Sequence, residues 1–169
     1  MKHLLFVLLS FSLVAQSPKE KIQVTDLLKI KTAGKPLVSP KGNQFIYTVT
    51  SIVDDPDKKN DFVYQTHLYL GNLLTGESRV LTSGKYSIAS PVWSPDGSKI
   101  AFTRDMGAKS QVYVLDLAGG EPQAITSVPF AASNPIWSAD GKGIYFQSSF
   151  SLKEFLADSV YNKKGMTPS

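Results

Sequence analysis

The sequence predicts an all-β fold: a partial β-propeller of about two and a half to three four-stranded blades, with a short N-terminal helix and a C-terminal helical insertion. Three observations predict it. Pro91-Val-Trp-Ser-Pro-Asp-Gly97 returns as Pro135-Ile-Trp-Ser-Ala-Asp-Gly141, so Trp93 to Trp137 is a step of 44 residues. Leu81-Thr82 with Ile125-Thr126, and His67-Leu-Tyr-Leu70 with Gln111-Val-Tyr-Val114, keep the same step. Each repeat also divides into four short apolar runs separated by turn residues, and four strands per ~40–45 residues is the size of a propeller blade.

The first element is an address rather than a blade. Lys2 and His3 precede an apolar run from Leu4 to Ala15. Twelve residues at ~1.5 Å each reach only ~18 Å as a helix, too short for a ~30 Å hydrocarbon core. A basic start, a short apolar run and a small residue at its end describe a secretory signal peptide over residues 1–16. The expected product is an exported protein, periplasmic or extracellular, with no membrane attachment after cleavage. An N-terminal segment with a short helix follows at 17–35, and the blades occupy 36–150, divided as 36–83, 90–127 and a partial 134–150.

The second repeat is the clearest. Its strands are read at 91–94, 99–104, 111–117 and 123–126. Ile100 and Phe102 alternate with Ala101 and Thr103, the period of two of a half-buried strand. Tyr113 and Leu115 alternate with Val112 and Val114, apolar on both sides, as suits a strand between two layers. Ser94-Pro-Asp-Gly97 has turn chemistry: proline presets φ, aspartate tolerates the third position and glycine supplies positive φ at the exit. Ala118-Gly-Gly120 and Thr75-Gly76 mark the outer hairpins. A worn first copy lies at Pro36-Leu-Val-Ser-Pro-Lys-Gly42, with Ser39 standing 55 residues before Ser94. The eleven extra residues fall between the second and third strands, where Asp54-Asp-Pro-Asp-Lys-Lys-Asn-Asp61 reads as a grown polar loop.

Composition removes several kinds of chemistry. The 169 residues contain no cysteine and only two histidines, His3 and His67, which excludes disulfides, thiol nucleophiles and cysteine-ligated metals. The net charge of +4 falls to about +3 without Lys2, and the lysines are scattered, so no nucleic-acid partner is expected. A serine hydrolase needs a G-x-S-x-G elbow, which this chain lacks, and His67 reads as a structural residue. Asp54, Asp55, Asp57 and Asp61 suggest calcium, but counting from Asp55 the sixth position is Asn60 and the twelfth Thr66, which breaks the loop pattern. No catalytic, cofactor-binding or metal residue is therefore expected. Trp93, Ser94, Pro95, Asp96, Gly97, Trp137, Ser138, Asp140 and Gly141 form a structural repeat signature, with the tryptophans packing between neighbouring blades.

Val92-Trp-Ser-Pro-Asp-Gly-Ser-Lys-Ile-Ala-Phe102 resembles the propeller repeat shared by TolB-like periplasmic proteins and the prolyl oligopeptidase family of serine peptidases. Val24-Thr-Asp-Leu-Leu-Lys-Ile30 followed by Pro36-Leu-Val-Ser-Pro-Lys-Gly42 resembles the opening of secreted dipeptidyl-peptidase and acylaminoacyl-peptidase members, where a short helix precedes the first blade. Thr25 can cap that helix, and Leu27, Leu28 and Ile30 can supply its apolar face. The resemblance spans roughly residues 22–150. The first copy departs from it, with Leu37-Val38 in place of tryptophan and Lys41 in place of aspartate.

In that peptidase family the propeller covers a C-terminal α/β-hydrolase domain and restricts access to short peptides. The resemblance thus implies an N-terminal, substrate-gating propeller fragment of an exported serine peptidase. The nucleophile and its partners would lie beyond Ser169, the peptide substrate would be met through that missing domain, and the fragment itself would be inactive. A TolB-like protein-binding platform is the alternative. Beyond the blades, Ser151-Leu-Lys-Glu154 has capping-box spacing, and Leu152, Phe155, Leu156 and Val160 follow helical spacing, so 151–169 is expected to be a truncated helical insertion.

Overall fold

The computed structural model describes residues 21, 23–107 and 109–150; the expected signal peptide and the helical insertion at 151–169 lie outside the described residues. A 3-10 helix, Val24–Lys29, comes first. The Asp26 carboxylate accepts the Gln23 N–H at 2.8 Å and pairs with Lys29 Nζ at 2.7 Å. The N-cap is therefore Gln23 rather than Thr25, which lies inside the helix. Leu27 and Ile30 are each 56% exposed, so the helix buries no continuous apolar face.

Among the described residues eleven strands follow, all paired antiparallel within three sheets. The first sheet holds β1 (Lys31–Ala33), β2 (Leu37–Val38), β3 (Gln44–Asp54), β4 (Phe62–Asn72) and β5 (Ser78–Val80). Both β1 and β2 pair with β3, so they are two halves of one strand interrupted at Gly34-Lys-Pro36. The second sheet runs β6 (Ile88–Trp93), β7 (Lys99–Asp105), β8 (Ser110–Asp116), β9 (Gln123–Ala124) in that order. The third contains β10 (Ala131–Trp137) and β11 (Ile144–Ser149). The three sheets make a partial propeller, their first strands starting at Lys31, Ile88 and Ala131.

The eleven extra residues of the first blade are not confined to a loop. β3 and β4 each run for 11 residues, whereas β7 and β8 each run for 7. Four residues of the excess therefore lengthen each strand, and three lengthen the turn. Ladder pairs continue to Asp54↔Phe62, because Ile52, Val53, Val63 and Tyr64 are β-branched or aromatic and favour a pleated surface.

The blades stack face to face. In β-sheets, cross-strand partners point to the same side. Trp93, Ile100 and Leu115 share one rung of the second blade, and Phe102 and Tyr113 share the next. That face joins Ile46, Leu68 and Leu70 of the first blade in one buried cluster, with Ile46, Leu68, Ile100 and Phe102 fully inaccessible. The third blade buries Ala132 and Pro135 completely, and Trp137 lies in a crevice with Lys99 and Val114 of the second. The outward faces are open: Ile136 and Tyr145 on the third blade are 62% and 70% exposed. On the first blade, Phe45, Tyr47 and Tyr69 form a stacked aromatic row, with centroids 5.6 and 5.4 Å apart.

The expected packing of the tryptophans between blades holds, with one difference between them. Trp93 Nε1 donates to the Leu37 carbonyl of the preceding blade at 2.9 Å. Trp137 Nε1 is buried without a partner. An inter-blade hydrogen bond contributes about 1 kcal/mol net, whereas an unpaired N–H gains nothing from burial. Trp93→Phe should therefore lower stability by about 1 kcal/mol more than Trp137→Phe, both measured by urea denaturation. Equal losses would remove the bond from the account.

Candidate functional site

The repeat signature builds the same turn three times. In the second blade, Gly97 N–H donates to the Ser94 carbonyl at 2.9 Å and Ser94 N–H to the Lys99 carbonyl at 2.9 Å. Gly97 takes φ +64°, the left-handed region that L side chains avoid. Ser94, only 3% exposed, donates its hydroxyl to Asp96 at 2.6 Å and accepts the Lys99 N–H at 2.9 Å. Asp96 also accepts the Ser98 N–H at 3.1 Å and the Ser98 hydroxyl at 2.7 Å. The third blade repeats the pattern: Ser138 Oγ donates to Asp140 at 2.6 Å, and Asp140 accepts the Lys142 N–H at 3.1 Å. In the first blade Lys41 replaces the aspartate, and Ser39 Oγ accepts the Lys41 N–H at 3.3 Å instead.

These turns also nest into one another. A β-carbon at Gly97 would stand 2.9 Å from Ser39 Oγ and 3.5 Å from Pro40 of the preceding turn, and one at Gly141 would stand 3.7 Å from Pro95. Ser94, Pro95, Asp96, Trp137, Asp140 and Gly141 together line a crevice of about 420 Å³ between the second and third blades. The structure thus gathers six of the nine signature residues around one space, while Trp93 and Gly97 face the first blade instead.

What this crevice can do chemically is limited by its bonds. The Ser94 hydroxyl is committed to a carboxylate and a backbone N–H, so its proton is not directed at the space. Among the described residues no imidazole lines it. Among the described residues no group of three or more histidine, aspartate or glutamate side chains could hold a metal. The aspartates of the first-blade turn are tied up similarly: Asp55 accepts the Asp57 N–H at 2.8 Å, and Asp57 pairs with Lys85 at 2.7 Å.

The structure gives roles to three polar features, of which the sequence reading missed the Ser90–Asn134 contact and used Thr82/Thr126 and His67 only as repeat landmarks. Ser90 and Asn134 adopt φ +50° and +48° at matching bulges of β6 and β10, and Ser90 Oγ donates to Asn134 Oδ1 at 3.1 Å. Asn134 Nδ2 then donates to Gln147 at 2.6 Å. These contacts bring the first strands of neighbouring blades together, and bulges re-aim side chains in this way. Thr82 and Thr126 end the outer strands by accepting the Leu68 and Val112 N–H groups, each at 2.9 Å. Lastly, His67 lies mid-strand in β4. The signal for all three was the 44-residue step, which links Ser90 to Asn134, Thr82 to Thr126 and His67 to Gln111.

The turns carry a pH dependence with a definite sign. Hydrogen bonds from Ser94, then Ser98, hold the Asp96 carboxyl well below the usual carboxylate range, and Ser138 with the Lys142 N–H lowers Asp140. A carboxyl lowered on folding contributes stability that is present above its unfolded pKa of ~3.9 and lost as pH falls toward the folded value. The melting temperature should therefore drop between about pH 5 and pH 2. In Asp96→Asn with Asp140→Asn that drop should be smaller, which thermal melts across this range would reveal.

With the geometry described, comparison with known proteins becomes informative. The sequence family described as the TolB beta propeller domain matches residues 60–153, more than half of the chain. No curated protein matches. Among solved structures, one assigned as a TolB from Agrobacterium tumefaciens is 25% identical with a TM-score of 0.53, over 66% of this chain and 36% of that one. TolB from Acinetobacter baumannii is 25% identical with a TM-score of 0.50, over 70% of this chain and 27% of its own. An acylaminoacyl peptidase from Pyrococcus horikoshii shares the fold at 21% identity, TM-score 0.54, over 71% of this chain and 17% of its own. The chain thus spans about a third of the first of these and less than a fifth of the last. On its repeated turns, its stacked blades and the sequence match, this chain belongs to the TolB beta propeller domain family.

Proposed function

We propose that the chain is the N-terminal propeller part of an exported serine peptidase of the prolyl oligopeptidase family, and that it restricts access to a catalytic α/β-hydrolase domain to short peptides. The observation that carries this reading is the 3-10 helix at Val24–Lys29 leading directly into the first blade. That order of elements is what the resemblance to dipeptidyl- and acylaminoacyl-peptidases implies, and the likeness in fold to acylaminoacyl peptidases is compatible with it. In this role the propeller supplies no reacting group. Its blades present a wall of paired strands, and its repeat signature holds that wall together. Export rests on the basic-then-apolar start of the sequence.

A TolB-like platform for protein binding is the second reading, favoured by the higher identity to TolB structures. The two separate cleanly. The reading frame followed past residue 169 should contain a G-x-S-x-G elbow, and the encoded protein should react with a fluorophosphonate probe and cleave short peptide amides. Further repeats with no elbow and no labelling would replace the peptidase by the platform. The chain of 169 residues alone should neither label nor turn over such a substrate; measurable turnover would contradict the assignment of catalysis to another domain.

A further inference from the structure

We propose that Asp140-Gly141, in the turn of the third blade, is a site of spontaneous succinimide formation and isoaspartate rearrangement, and that the matching Asp96-Gly97 of the second blade is protected from it. This inference stands on the described residues and does not depend on the peptidase reading. The bonds that keep both aspartates from acting on a ligand leave one of them free to react with its own backbone.

The sequence holds two Asp-Gly pairs, one 44-residue step apart. In such a pair the glycine nitrogen can reach the preceding side chain because no Cβ shields it. The Gly141 nitrogen attacks Asp140 Cγ, an N–Cγ bond forms and a Cγ–O bond breaks. The oxygen leaves as water, with one proton from the protonated carboxyl and one from the Gly141 N–H. Water then adds to either carbonyl carbon of the ring and a ring C–N bond breaks. The product is aspartate again, or a chain that runs through the β-carboxyl; no other reactant takes part.

The repeat makes the two sites a matched pair. Gly97 and Gly141 take φ +64° and +68°, and their N–H groups donate to the Ser94 and Ser138 carbonyls at 2.9 and 3.0 Å. In both turns the serine hydroxyl donates to the aspartate Oδ1 at 2.6 Å. The Ser98 and Lys142 N–H groups reach that same oxygen at 3.1 Å. The second oxygen differs. Asp96 Oδ2 accepts the Ser98 hydroxyl at 2.7 Å. One repeat on, that serine is Lys142, and among the described residues nothing donates to Asp140 Oδ2. A hydrogen bond to the carboxylate opposes the protonation that makes its oxygen a leaving group. The nucleophile differs too. Gly97 is buried, and a β-carbon there would stand 2.9 Å from Ser39 Oγ and 3.5 Å from Pro40. Gly141 is half-buried, its nearest such neighbour is Pro95 at 3.7 Å, and it lines the crevice between the second and third blades. Room for the ring to close and water to open it are therefore found in the third blade. The β-linked product adds one carbon to the main chain of the turn that lies against Pro95.

The test is incubation of the full chain in heavy-oxygen water at about pH 5, where an ordinary aspartate is still protonated about a tenth of the time. Digestion in ordinary water and mass spectrometry follow. Each ring opening leaves one heavy oxygen in its peptide, so both sites are read in one sample, and the β-linked peptide separates by its chromatographic retention. The expected result is labelling of Asp140 at least about threefold faster than of Asp96, the effect of about one hydrogen bond. In urea, where the turns are lost, the two Asp-Gly pairs should label at nearly equal rates. Lys142→Ser, which copies the second blade, should slow labelling of Asp140, and Ser98→Lys should speed that of Asp96 toward it. Equal rates in the folded chain, the same ratio in urea as in the folded chain, or Asp140 labelling unchanged by Lys142→Ser would each overturn the inference.

Discussion

A four-stranded blade carries apolar side chains on both faces, and neither face is satisfied until another sheet lies upon it. That constraint organises the described residues. The second blade has a neighbour on each side and holds the largest share of fully buried residues, Ile100, Ala101, Phe102 and Val112. The first and third blades have one neighbour each, and their outer faces keep Val38, Ile136 and Tyr145 more than half exposed. The indole of Trp93, bonded to the Leu37 carbonyl, is the point where side-chain packing and backbone hydrogen bonding join two blades at once. Around it, the nested turns set the spacing between blades, because Gly97 and Gly141 let the second and third turns lie close against the turn before them.

The same economy explains why the most recognisable residues are not chemical ones. Serine and aspartate recur in every strong copy of the signature, yet both spend their hydrogen bonds on the turn. The serine proton goes to the aspartate, and the aspartate gathers the backbone N–H groups that the turn leaves without a strand partner. Polar groups that remain unpaired are more informative. Trp137 Nε1, His67 Nδ1 and Arg104 Nε are buried without partners, and such groups call for an explanation in any folded protein.

Much of this architecture was legible in the sequence because a repeat states the same solution more than once. Tryptophan, serine, aspartate and glycine at fixed offsets located the inter-blade contact and the turn, and the alternation of Ile100 and Phe102 located a buried face. The lengthened hairpin was harder to read. The polar run from Asp54 to Asp61 looks like a loop inserted between strands, but hydrogen bonding carried β3 and β4 outward by four residues each. The N-cap was missed because Gln23 is a weak capping residue, and Asp26 reaching back to its N–H decided the position.

If stacking between blades is what holds this chain together, stability must be graded from the centre outward rather than shared evenly among the sheets. Native-state hydrogen exchange measures that gradient directly. The account predicts the slowest amides at Leu68, Ile100, Phe102 and Val112, slower protection loss in β7 and β8 than in β3, and the fastest exchange in β11. Uniform protection across the three sheets, or greatest protection in β10 and β11, would contradict it.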